Sequence, residues 1–253
     1  MINVLVNGCN GKMGKEVTNQ LSNFPNMFLS CGVDIYDTGL NTFPVYQNPE
    51  DIKTPIDVII DFSIPSSVLN LLKFSIKNKI PIVIATTGFS ESELKEIQKA
   101  SKVIPIFQSS NMSFDINLMS KIVSEIAPIL KDNDIEIIET HHNNKKDAPS
   151  GTALLLADSI NNSLNNTMKY NFNRNSLNKK REKNEIGFSS IRGGNIIGQH
   201  TVKFFSMYET FEITHTSYSR SVFAQGALKA ANFIANKSSG LYDMNDLLKT
   251  SDH

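Results

Sequence analysis

The sequence predicts an α/β chain: a doubly wound, mostly parallel sheet followed by a smaller α+β region. Three observations predict it. Short β-rich runs alternate with helical periodicity up to about Asn111, a glycine-rich turn follows the first strand directly, and apolar residues alternate with polar ones between Ile186 and Tyr218.

The opening strand is Ile2-Asn3-Val4-Leu5-Val6. It runs into Asn7-Gly8-Cys9-Asn10-Gly11-Lys12-Met13-Gly14, after which Met13, Val17, Leu21 and Phe24 recur at near-helical spacing. Strand, glycine turn and helix together form what a dinucleotide pyrophosphate requires. Gly8 and Gly11 let the backbone turn tightly and approach the phosphates, while Gly14 lets the helix pack closely on the strand. The spacing Gly-x-x-Gly-x-x-Gly departs from the commoner G-x-G-x-x-G, and a plain strand-to-helix turn also accounts for a glycine triplet taken alone.

A second strand, Met27 to Val33, ends at Asp34, about twenty residues beyond the glycine turn, where a carboxylate can hydrogen-bond a ribose diol. The next residue is Ile35 and not an arginine able to pair with a 2′-phosphate, so NADH is favoured over NADPH. Lys12 is a possible counterweight.

Further β-α units follow: a buried strand through Pro55–Phe62, a helix from Pro65 to Lys77 with Val68, Leu71, Leu72 and Ile76 inward, a strand through Ile82–Ala85, a helix through Glu91–Ile97 and a strand through Val103–Phe107. Such a Rossmann-like sheet presents its ligand crevice at the carboxyl ends of the strands. The polar turns there are Phe62-Ser63, Thr86-Thr87-Gly88-Phe89 and Ser109-Ser110-Asn111-Met112. Any one of them is also ordinary turn chemistry.

Beyond Asn111 the pattern changes. A helix is expected from Asp115 to Leu130, then a strand Ile135–Glu139, a helix beginning near Gly151, a mobile, Asn- and Lys-rich surface stretch from Asn161 to Asn184, antiparallel strands between Ile186 and Tyr218, and a last helix Ser221–Ile234. The expected domains are therefore 1–112 with 220–253, and 113–219.

The chain has 253 residues and a formal net charge of zero, so no basic field points to nucleic acid or an anionic membrane surface. Cys9 and Cys31 form no disulfide framework and no metal-ligand spacing. No apolar run is long enough to span a bilayer, and the opening residues read as strand, so the cytoplasm is the expected compartment.

The densest chemistry lies in Glu139-Thr140-His141-His142-Asn143-Asn144-Lys145-Lys146-Asp147-Ala148-Pro149-Ser150-Gly151-Thr152-Ala153. Two imidazoles, an ammonium group and a helix start capped by Ser150 suit proton transfer and carboxylate capture. Consecutive strand residues face opposite ways, so His141 and His142 enter one site only if the strand ends there. Structural hydrogen bonding by the histidines and solvation of Lys145 and Lys146 are the plainer readings. His141, His142, Asp147, His200 and His215 show no metal-ligand motif, and no metal is expected.

Together these motifs resemble one family, 4-hydroxy-tetrahydrodipicolinate (dihydrodipicolinate) reductase of the diaminopimelate route to lysine. The likeness covers nearly the whole chain and rests on Gly8–Gly14, Ala85–Phe89, Glu139–Ala153, Arg192-Gly193-Gly194, Gly198–Val202 and Ser219-Arg220. It implies NAD(P)H-dependent reduction of a cyclic dicarboxylate with loss of the 4-hydroxyl as water, in a homotetramer. His141 then matches the proton donor or acceptor and Lys145 a donor, with His142, Ser150, Gly151 and Thr152 at the substrate. Gly8, Cys9, Asn10, Gly11, Lys12, Met13, Asp34, Ala85, Thr86, Thr87, Ser109, Ser110, Asn111 and Met112 fall at the cofactor.

Departures from the usual family pattern are Ala85 for glycine, Ser109-Ser110 for alanine-rich sequence, Met112 for an aromatic, and Asn195 and Gln199 for acidic residues. Two other readings remain at this stage. One is an aspartate or homoserine dehydrogenase-like oxidoreductase, and the other is an NAD(H)-sensing or assembly protein without turnover.

Overall fold

The computed structural model describes residues 1–176 and 178–250, and divides into two compact units, Met1–Phe114 with Arg220–His253, and Asp115–Ser219. The first unit contains β1 (Ile2–Asn7), α1 (Lys12–Gln20), β2 (Met27–Val33), β3 (Val45–Tyr46), β4 (Val58–Asp61), α2 (Pro65–Asn78), β5 (Ile82–Ile84), α3 (Glu91–Ala100) and β6 (Pro105–Gln108). The second begins with α4 (Phe114–Ile126), which crosses the boundary by one residue, and continues with β7 (Asp134–His141), α5 (Gly151–Ser163), β8 (Lys169–Asn171), β9 (Glu185–Arg192), β10 (Gly198–Phe205) and β11 (Thr210–Ser217). The chain then returns to the first unit with α6 (Ser221–Ile234), β12 (Gly240–Tyr242) and α7 (Met244–Thr250).

The first unit is the expected doubly wound sheet, with seven parallel-paired strands in the order β12-β6-β5-β4-β1-β2-β3. From β1 the chain steps outward to β2 and β3, then returns to the other side of β1 with β4. That reversal is the switch point where open α/β sheets hold ligands. Both faces of the sheet are covered: Val4, Val6, Val58 and Ile60 pack with α6 residues Ala224, Ala227 and Ala231, while Leu5, Ile59 and Ile82 pack with Leu71 and Ile97. Burial on both sides explains why these strands read as continuous apolar runs.

The second unit holds a five-stranded mixed sheet in the order β11-β10-β7-β9-β8. Here the expectation of antiparallel strands throughout 186–218 is corrected: β10 and β11 are antiparallel, but β9 runs parallel to β7 and to β8. The crossover through α5 returns the chain in its original direction, so β9 must run with β7. The stretch 161–184 is likewise more ordered than expected. It contains the edge strand β8, whose Tyr170 ring lies 5.6 Å from that of Phe188, although Leu177 lies outside the described residues. Helix α4 stops at Ile126 and not at Leu130, because Pro128 disfavours helical backbone at Ala127. Among the described residues no helix is long and apolar enough to cross a membrane.

Candidate active site

Alternation along β7 builds the site in the second unit. Ile135, Ile137, Glu139 and His141 share one face, and all are buried. The first two residues belong to the apolar core with Val202, Phe204, Leu156 and Ile160. The last two carry the same face out to the strand end as polar groups. Register sets their neighbours: Glu139 lies between Ser190 of β9 and His200 of β10, and His141 lies opposite Arg192.

Glu139 is 1% exposed. Its Oε2 accepts from His141 Nδ1 at 2.5 Å and from Arg192 Nη1 at 2.8 Å, and its Oε1 accepts from Arg192 Nη2 at 2.7 Å and from the Ser150 backbone N–H at 3.2 Å. Burial disfavours the charge, but the bonds from His141, Arg192 and Ser190 outweigh it and hold this carboxyl well below the ordinary range. His200 lies beside this group, its ring 5.0 Å from that of His141, and burial pulls it down to about 3, so it is neutral.

Strand β7 ends at His141, which frees His142 from strict alternation. The His142 N–H donates to Ile196 O at 2.7 Å, and its Nδ1 is buried with no hydrogen-bond partner among the described residues. Lys145 pairs with Asp147 at 2.9 Å, and this bond holds the Asp147 carboxyl below its usual value. Helix α5 begins at Gly151 with no acidic residue in its first turn, and a Cβ added to Gly151 would meet nothing within 4 Å. That open helix start suits an anion.

In the first unit the glycine turn fits a phosphate cradle. Gly8 has φ +75°, and a Cβ there would lie 2.6 Å from Phe62 O; one on Gly14 would lie 2.1 Å from Gly8 O. Gly11 gives α1 no side-chain cap, and the first turn of α1 has no acidic residue. Asp34 borders this turn. Thr86, Thr87, Gln108, Ser109 and Ser110 line a pocket of about 200 Å³ at the ends of β5 and β6.

Residues 2–112 match the family model described as "Dihydrodipicolinate reductase, N-terminus", and residues 115–248 match the model for its C-terminus. The chain belongs to the dihydrodipicolinate reductase family. It is 49% identical over 249 residues to the 4-hydroxy-tetrahydrodipicolinate reductase of Caldanaerobacter subterraneus subsp. tengcongensis, covering 98% of this chain and 99% of that protein. It is 45% identical over 251 residues to that of Clostridium novyi, covering 99% of each. Among solved structures, a dipicolinate-bound dihydrodipicolinate reductase from Paenisporosarcina sp. TG-14 superposes with a TM-score of 0.82 at 27% identity, over 97% of this chain and 99% of that one.

Within this reductase chain the structure sorts the residues named from sequence. His141, His142, Lys145, Ser150, Gly151 and Thr152 fall in one unit, on the end of β7, the following loop and the start of α5. Ser150, however, is 1% exposed; its hydroxyl accepts from Ala153 N and lies 2.9 Å from His200 Nε2, so its side chain caps the helix from within. Gly8, Gly11, Lys12, Met13, Asp34, Ala85, Thr86, Thr87, Ser109, Ser110 and Asn111 lie at the carboxyl ends of β1, β2, β5 and β6.

Three cofactor candidates direct their side chains inward. Cys9 is buried where a Cβ on Gly32 would meet its Sγ, Met112 belongs to the apolar core, and Asn10 is spent on Tyr36 O and Asn41.

Sequence reasoning passed over Glu139, His200 and Asp61 as site residues, and used Arg192 only as a family marker. Asp61, at the end of β4, is wholly buried. It accepts from Asn7 Nδ2 at 2.6 Å, Ser63 Oγ at 2.5 Å and Thr86 Oγ1 at 2.6 Å, and burial pushes its carboxyl up. It ties together the turns after β1, β4 and β5. The available signal was the pattern itself, a carboxylate continuing the buried period of an apolar strand.

Proposed function

We propose that this chain reduces 4-hydroxy-tetrahydrodipicolinate to tetrahydrodipicolinate with loss of water, using NADH or NADPH, in diaminopimelate and lysine biosynthesis. The observation that carries this reading is the His141 imidazole held by a buried carboxylate beside the open amino terminus of α5, in a chain of this family. The dipicolinate in the Paenisporosarcina reductase supports a cyclic dicarboxylate as substrate.

Gly8, Gly11, Lys12 and Met13 would hold the pyrophosphate and Asp34 a ribose diol, with Thr86, Thr87, Ser109 and Ser110 lining the nicotinamide side. When bound, the cofactor supplies a hydride. The α5 amino terminus at Gly151 and Thr152, with His142, holds the substrate carboxylates. Lys145 stabilises the negative charge that reduction leaves on the ring, and His141 delivers a proton through Nε2. NADH is the preferred donor, because Ile35 offers no charge to a 2′-phosphate. The working form is a cytoplasmic homotetramer; exposed Ile191, Phe211 and Tyr218 on and after β9 and β11 supply apolar surface for its contacts.

The experiment is oxidation of NADH and NADPH at matched concentrations, with substrate generated in situ from pyruvate and aspartate semialdehyde by a synthase. Wild-type protein should oxidise both, NADH faster. Lys145→Ala and His141→Ala should lower turnover by about a hundredfold to ten-thousandfold while retaining NADH affinity. Folded protein that binds NADH yet shows no substrate-dependent oxidation overturns the reading.

A further inference from the structure

We infer that Glu139 and Arg192 are the positioning pair of this site: they fix His141 as the Nδ1–H tautomer and hold the Lys145 loop and the start of α5 in register with it. The inference deepens the proposed function, since that reading supplies what His141 does. The geometry stands without it.

Each Glu139 oxygen accepts two of these hydrogen bonds and Ser190 contributes a further one, so no lone pair is left for a substrate. This residue therefore acts through others. An ionised carboxylate only accepts, so His141 Nδ1 must carry the hydrogen, and the proton that the ring exchanges sits on Nε2. Gly198 faces that atom across the sheet, and a Cβ there would lie 3.2 Å from Nε2.

The same carboxylate reaches beyond the ring. Its Oε1 takes the Ser150 N–H, which anchors the residue capping α5. Arg192 grips both carboxylate oxygens in a fork and passes Nη2 on to Asp147 O at 2.7 Å, while Asp147 pairs with Lys145. One buried ion pair thus connects the imidazole, the ammonium-bearing loop and the helix that faces the anion. An ion pair this buried is weak evidence for stability, whereas fixing one geometry is a role it performs well.

Histidine nitrogen NMR of the wild-type protein, with His141 assigned through His141→Gln, reads the tautomer directly and without turnover. The expected result is a ring that keeps its hydrogen on Nδ1 throughout, with Nε2 the nitrogen that gains and loses the exchanged proton. Glu139→Gln should populate the Nε2–H form and lower kcat about ten- to a hundredfold, the effect usual for an outer carboxylate that orients an imidazole, with the NADH Kd unchanged. Arg192→Lys keeps the charge but loses the fork, and should raise KM for the dicarboxylate more than it lowers kcat.

A wild-type Nε2–H tautomer overturns the inference, as does a folded Glu139→Gln protein with unaltered tautomer and kcat. If Glu139→Gln fails to fold, the wild-type spectrum decides. An Nδ1–H ring in a protein with no dicarboxylate-dependent turnover sinks the proposed function and leaves the positioning intact.

Discussion

Asp34 Oδ2 accepts the Asn10 backbone N–H at 2.9 Å while its Oδ1 accepts that of Ile35 at 2.8 Å, so the acidic end of β2 is tied to the glycine turn after β1. The carboxylate thereby shapes the turn, beside any ribose contact of the proposed cofactor site. Asp34→Ala should raise KM for NADH more than for NADPH, narrowing the preference between them, with kcat little changed. Steady-state kinetics with both cofactors checks this; equal losses for the two would confine Asp34 to the turn.

Gly14 tests the fit of α1 against that turn. An added Cβ would lie 2.1 Å from Gly8 O and 2.6 Å from Cys9 Cα, both rigid backbone atoms. Gly14→Ala should cost about 1–3 kcal/mol or more, as overpacking does, and weaken both cofactors together. Urea unfolding with the cofactor absent measures the stability part.

Gly151 is the counterpart in the other unit, because a Cβ there meets nothing. Gly151→Ala should leave the unfolding midpoint within about 0.5 kcal/mol of wild type, as at ordinary surface positions, yet raise KM for the dicarboxylate. An unchanged KM would mean that the substrate does not approach this helix start.

His200 makes acid stability predictable. Its value falls from 6.5 to about 3 through burial and the neighbouring His141, so at intermediate pH the unfolded chain binds the extra proton. Its contribution is complete above the unfolded value and is lost as pH drops toward the folded one. The slope should approach about 1.4 kcal/mol per pH unit in this window. The depressed His215 adds in the same direction, whereas Glu139 begins to matter only at carboxylate pH. Urea midpoints at about pH 7 and about pH 5 should separate more for wild type than for His200→Gln.

Much of this was legible in residue order. The glycine turn, the strand ending at Asp34 and the helix at Ser221–Ile234 all follow from local periodicity and turn chemistry, although that helix is not the last, since β12 and α7 follow it. So does the proximity of His141, His142, Lys145 and Gly151, which one strand, one loop and one helix start bring within a short stretch of chain.

The partners of these residues were not legible. Glu139 meets Arg192 across 53 residues, Ser150 meets His200 across 50, and Asn7 meets Asp61 across 54. Nor could local pattern give β9 its parallel direction or turn the side chains of Cys9, Met112 and Ser150 inward. Sequence by itself determined which elements form and which chemical groups they carry, because helix period, strand period and glycine turns are properties of neighbouring residues. Tertiary structure alone decided which carboxylate orients which imidazole, because strand register pairs residues far apart in the chain and burial then favours pairs that meet each other's hydrogen-bonding needs.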